Sequence, residues 1–133
     1  MYLKAMLVCD DVRFEINGTF TLVGVHDERL VVGPAQGAIA IPKLSFMTMV
    51  GGLTGVERIA FRHAVRPLDQ ASEPLVQPLR EEGHDPNADE HNFVFDDSPL
   101  FLPGLGSYEH VTELEVNGER AIYRYRFHLE ARR

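Results

Sequence analysis

The sequence predicts an all-β protein, a sandwich or small barrel of short strands. Three observations carry this. Apolar residues recur with a period of two almost throughout, the spacing of half-buried strands. Asn-Gly pairs at 17–18 and 117–118 mark hairpin turns, because both residue types tolerate positive φ. Many short β-rich runs are separated by turn signals, and no stretch has the stripe of an amphipathic helix.

Taken in order, "YLKAMLVC" is the first strand and "TFTLVGVH" its partner across the turn at Asn17 and Gly18. "AIAIP" and "KLSFMTMV" are two more, separated at Pro42. In "ERIAFRHAV" Ile59, Phe61, His63 and Val65 share a face, opposite Arg58, Arg62 and two alanines. "HNFVFD" is short, and Pro99 and Pro103 interrupt the residues after it. The clearest segment is "EHVTELEVNGERAIYRYRFHLE". With Asn117 and Gly118 at its turn, Val116 faces Glu119, Leu114 faces Ala121, Thr112 faces Tyr123 and His110 faces Tyr125. That face is mainly apolar. The other sets Glu113 and Glu115 against Arg120, Arg124 and Arg126, a ladder of opposite charges suited to solvent. A one-residue slip would bury those charges, so the register is well specified.

Residues 66–91 have four prolines, an acidic balance and no aromatics. Such a composition buries little apolar area, which predicts a long, exposed, mobile loop, with "PLVQPL" as the candidate for a short edge strand. At 133 residues the chain suits one domain, spanning 1–133. A chain of this size buries roughly two-thirds of its unfolded surface and needs no staples.

Charge and cysteine content narrow the partners. A net charge of −7, with dispersed arginines, opposes binding to nucleic-acid backbones. One cysteine excludes an internal disulfide and a cysteine-based zinc cluster. The N-terminus turns acidic too soon for a secretory signal, and no apolar run is long enough for a membrane span. The expectation is a cytoplasmic, reduced protein with no membrane partner.

Two stretches carry a resemblance. "LPGLGSYEHVTELEVNGE" looks like the end of an immunoglobulin-like sandwich, in which Tyr108 would return its hydroxyl to nearby backbone. "LVCDDVRFEINGTFTLVGVH" resembles the opening of a family of small, uncharacterised bacterial sandwich proteins. In that family a strand ending in Cys-Asp-Asp-Val-Arg is followed by an Asn-Gly turn and a Leu-x-Gly-Val strand, here Cys9 to Arg13, Asn17-Gly18 and Leu22 to Val25. The chain departs from the pattern at His110 and Thr112 and in its long central loop. The resemblance implies an immunoglobulin-like β-sandwich of about seven to nine mainly antiparallel strands, and lends no catalytic residue.

Several side chains are candidates for a site. Asp10 and Asp11 are adjacent, so on a strand they point to opposite faces, and Asp is common where a strand ends in a turn. They are read as structural, with Cys9 beside them as a small buried hydrophobe. "DPNADEHNFVFD" places Asp85, Asn87, Asp89 and Asp96 at ligand positions of a calcium loop, but Glu90 stands where the bend wants Gly. His84 and His91 lie on the acidic loop with Asp85, Asp89 and Glu90, without a spacing that orders them as zinc ligands. His63 and His110, on inward faces, would form a buried polar network with Tyr125. No nucleophile elbow or phosphate loop occurs in the sequence, and a small hydrolase would need two of Asp11, His26, His63 and His110 to converge.

The expectation is a non-enzymatic protein-binding or assembly module without a cofactor. It would engage a protein partner, or a second copy, through exposed edge strands, with the acidic loop facing the partner. The alternatives are a metal- or calcium-binding sandwich using that loop, and a small hydrolase.

Overall fold

The computed structural model describes residues 1–34 and 36–132. Among these residues eleven strands run in chain order: β1 Tyr2–Phe14, β2 Phe20–His26, β3 Arg29–Val32, β4 Ile39–Ile41, β5 Leu44–Gly51, β6 Arg58–Pro67, β7 Arg80–Gly83, β8 His91–Asp97, β9 Leu100–Leu102, β10 Gly106–Val116 and β11 Glu119–Ala131. A four-stranded sheet has the order β2-β1-β5-β8, a five-stranded sheet β3-β11-β10-β6-β7, and β4 pairs with β9. All pairings are antiparallel except β3 with β11. Among the described residues no helix is long and apolar enough to cross a membrane.

Period-two patterning explains how the two main sheets face each other. On β5, Leu44, Phe46, Thr48 and Val50 point one way; on β10, Tyr108, His110, Thr112, Leu114 and Val116 do the same. These faces meet. Phe46 lies 4.6 Å from the His110 ring and 5.9 Å from Phe127, Phe61 lies 5.2 Å from Phe93, and the Thr48 and Thr112 hydroxyls are 2.9 Å apart. Val8, Ile59, Phe95 and Leu129 complete a core of apolar side chains from both sheets. An all-β chain with two such faces is consistent with a β-sandwich.

Both Asn-Gly pairs turn hairpins, by different geometry. Asn117 and Gly118 have φ of 49° and 82°, the two-residue turn that matches strand twist. At the first turn only Gly18 has positive φ, 83°, and Glu15 pairs with Thr19 across a three-residue loop. The last hairpin keeps the expected register, with His110 opposite Tyr125 and Val116 opposite Glu119. Tyr108 donates its hydroxyl to the Gly104 carbonyl at 2.5 Å and accepts the Gly104 N–H at 3.2 Å.

Three expectations need correction. Strand count exceeds seven to nine because four strands, β3, β4, β7 and β9, are only three or four residues long. Asp10 and Asp11 do not leave the strand: β1 continues through them to Phe14, paired with β2. Segment 66–91 is not one structureless loop. β6 runs to Pro67, a 3-10 turn spans Leu68–Gln70, and the edge strand is Arg80–Gly83 rather than "PLVQPL".

Candidate functional site

Histidines and buried carboxylates gather at three places. The first is between the sheets. His63 stacks on Phe95 at 3.9 Å and meets His110 edge-on at 5.5 Å, while His110 is only 1% exposed. Among the described residues, neither His63 Nδ1 nor His110 Nε2 has a hydrogen-bond partner. Burial holds His63 below the usual imidazole range, with the Asp97 carboxylate partly opposing it, and holds His110 well below. Both rings are therefore neutral at pH 7. Asp97 is itself shifted upward by burial.

This corrects the expected polar network. His63 and His110 do approach, but as rings in an aromatic cluster, and Tyr125 stacks on Phe127 at 6.5 Å. The inward faces around them carry Phe46 and Phe95, and the hydroxyl of Thr112 is already bonded to Thr48. His63 also lines a cavity of about 320 Å³ with Arg62, Gln77, Pro78 and Arg80.

The second place is the outer face of the five-stranded sheet. Glu109 is fully buried and Glu113 is 4% exposed. Glu109 accepts from Arg66 Nε at 3.0 Å and from Arg124 Nη1 at 2.7 Å. The same two arginines also donate to the Ala71 carbonyl, and Arg66 to that of Glu73, so the chain after the 3-10 turn is clamped over the sheet. Glu113 pairs with Arg62 and Arg120, and the Arg62 bond holds its carboxyl below the usual range. Of the ladder expected in solvent, Arg120, Arg124 and Arg126 remain exposed and Glu115 is half-buried, whereas Glu113 is buried. A signal for it exists in the sequence: Glu109 and Glu113 repeat at the spacing of Arg66 and Arg62 on the neighbouring antiparallel strand.

The third place lies where β7 and β8, the edges of different sheets, come together. His91 Nε2 lies 2.6 Å from Glu82 Oε2, His84 Nε2 lies 2.9 Å from the Ala88 carbonyl, and the two Nδ1 atoms face each other at 2.9 Å. His84 is 7% exposed. Backbone bonds from His84 to Glu57, Gly55 to Pro86 and Leu53 to Asp89 hold this loop against residues 52–57.

The remaining candidates stand apart. Asp85 accepts the Asn87 N–H within its own turn. Asp89 accepts from Thr54 and Tyr2, and the Gly52 N–H is the main cause of its lowered pKa. Asp96 accepts from Ser45 on β5. These four calcium-loop residues do not converge, because Asp96 belongs to a strand. Among the described residues no group of three or more His, Cys, Asp or Glu is arranged to hold a metal ion. Asp10 meets His26 Nε2 at 2.6 Å, whereas Asp11 meets Lys43 at 2.8 Å, so the adjacent carboxylates do take different partners. Cys9 is buried and its thiol is pushed up by burial, which makes it a poor nucleophile. Of Asp11, His26, His63 and His110, only the last two meet.

The chain matches no family model and no curated protein. Fold and sites together define an all-β protein of two facing sheets.

Proposed function

We propose that this is an immunoglobulin-like sandwich acting as a non-enzymatic protein-binding or assembly module. The Tyr108 corner supports the immunoglobulin-like reading, since that hydroxyl-to-backbone contact near the start of the penultimate strand is a feature of the fold. The observation that carries the binding role is the β1–β2 hairpin. β5 pairs with β1 only from Tyr2 to Cys9, so the chain beyond Asp10 continues as a two-stranded ribbon. Phe14 is 75% exposed and Ile16 wholly so, with Val25 exposed on the edge strand β2.

A two-stranded ribbon is marginal in water by itself, and apolar groups at such a tip favour a partner's surface. In the five-stranded sheet, the edge strand β7 is short and carries Arg80, Glu81 and Glu82, which discourages further pairing. Strand addition at β2 supplies backbone hydrogen bonds, and the ribbon's apolar side chains supply specificity. The acidic segment, expected to face a partner, contributes less because its first part clamps Glu109.

The test compares wild type with a Phe14→Ser, Ile16→Ser double variant. Light scattering reads self-association, and tagged pull-down from the native host with mass spectrometry reads a hetero-partner. Loss of either association at unchanged melting temperature supports the reading. Associations that persist in the variant, or a wild type that is monomeric and captures nothing, count against it.

A further inference from the structure

We propose that His84 and His91 form a two-nitrogen binding site for one divalent late-transition cation, of the zinc–copper class, between the edges of the two sheets. The ring protons come first. His91 Nε2 faces a carboxylate oxygen of Glu82 and His84 Nε2 faces the Ala88 carbonyl. Both are acceptors, so each imidazole donates its one N–H outward and is held as the Nε2–H tautomer. Both Nδ1 atoms then present lone pairs on the facing sides of the rings, 2.9 Å apart. With both Nε2 protons given outward, the Nδ1–Nδ1 contact needs a further proton or a cation.

A cation between the Nδ1 atoms completes the set without a further proton. Metal–imidazole bonds are about 2.0–2.1 Å, so two nitrogens in cis positions at a right angle stand about 2.9 Å apart. Tetragonal nitrogen and oxygen sites of that kind suit Cu²⁺ or Ni²⁺, and a modest opening suits tetrahedral Zn²⁺. The outer contacts match as well. Ligating histidines commonly donate their second N–H to a carboxylate or a backbone carbonyl, which fixes tautomer and ring direction. Here one histidine has each kind of partner. The Glu82 carboxylate, 2.6 Å from His91, adds a negative charge that favours a dication. Water completes the coordination. A bound ion would also tie β8 of one sheet to the β7 end of the other, closing the flank.

The test uses the full chain stripped by chelator and titrated at pH 7.5 with Cu²⁺, then separately with Zn²⁺. One equivalent should bind ahead of the rest, with a copper EPR spectrum showing two imidazole nitrogens, and Zn²⁺ should raise the melting temperature. Glu82→Gln should keep one-to-one binding but weaken it about 10–100-fold, as expected for an outer partner of a ligand. The His84→Gln, His91→Gln double variant should lose the two-nitrogen signal, while His26→Gln should retain it. The proposal fails if wild type shows no preferred equivalent, or titrates like the double variant. It fails equally if nitrogen NMR finds a shared proton between the Nδ1 atoms that one equivalent of Zn²⁺ does not displace. Wild-type spectra decide the matter even where a variant does not fold.

Discussion

The two hairpins closed by Asn-Gly have opposite fates. β10–β11 sits inside the five-stranded sheet and buries charge, with Glu109 wholly enclosed by Arg66 and Arg124. β1–β2 lies at the rim of the four-stranded sheet and leaves Phe14, Ile16 and Val25 in water. A hairpin's turn and register are local properties, so both are marked alike in the sequence. Which face is covered depends on what lies beside and above it. The buried charges of β10–β11 find their second contact inside the molecule, and the proposed binding role would supply one for the exposed apolar residues of β1–β2.

The largest effect that would break this contrast is at Glu109. Glu109→Ala leaves the buried Arg66 guanidinium without its carboxylate, and removing one partner of a buried ion pair costs about 3–5 kcal/mol. Urea unfolding should show that loss, and limited proteolysis should show residues 71–75 released. A change below about 1 kcal/mol would mean the pair is solvated and the face is not truly buried.

Next is Gly24, in β2. Its φ is 65°, and a Cβ there would collide with the Asp10 carboxylate. Gly24→Ala should destabilise by about 1–3 kcal/mol through backbone strain and displacement of Asp10. Adding Asp10→Ala should recover the part due to collision but not the part due to φ, as a double-mutant cycle would read.

A smaller change, of opposite sign, is expected inside β10. His110→Phe removes an unpartnered buried nitrogen from an aromatic cluster and should stabilise by about 1 kcal/mol. It should also alter the acid limb. Burial lowers the folded pKa of His63 and His110, so the stability they allow is complete above the unfolded imidazole value of about 6.5. That stability is lost as pH falls below this value, because the unfolded chain takes up protons that the folded one refuses. Melts from pH 7.5 to 5 should therefore fall less steeply in His110→Phe. An unchanged slope would place the acid sensitivity elsewhere.

Val25→Lys has the smallest expected effect on folding, within about 0.5 kcal/mol for an exposed surface site. A lysine on an edge strand opposes strand addition, so it should reduce association while the melting temperature holds. Association at wild-type strength would remove β2 as the docking edge.

Much of this architecture was legible because it is written in short-range pattern. Period-two alternation gives the strands, the Asn-Gly pairs give both hairpins, and the register of Tyr108–Val116 against Glu119–Phe127 follows from the turn alone. The inward direction of His63 and His110 comes from the same alternation. The strand through Asp10 and Asp11 was harder to see, because aspartate favours turns and only pairing with β2 overrides it. The four-residue strand Arg80–Gly83 has no hydrophobic pattern, since its reason to exist is the free edge of β6.

Tertiary structure decided what long-range pairing decides. It took Glu113 out of the expected solvent ladder into a buried pair with Arg62, and it buried Glu109 against Arg66 and Arg124, which also hold the Ala71 carbonyl. It separated Asp96 from Asp85, Asn87 and Asp89 by committing Asp96 to a strand bonded to Ser45. It brought His84 and His91 face to face, although they stand seven positions apart with no ligand spacing to mark them. Alternation records which way a side chain points. The groups it meets there come from chain segments distant in sequence, and single-residue patterns carry no record of them.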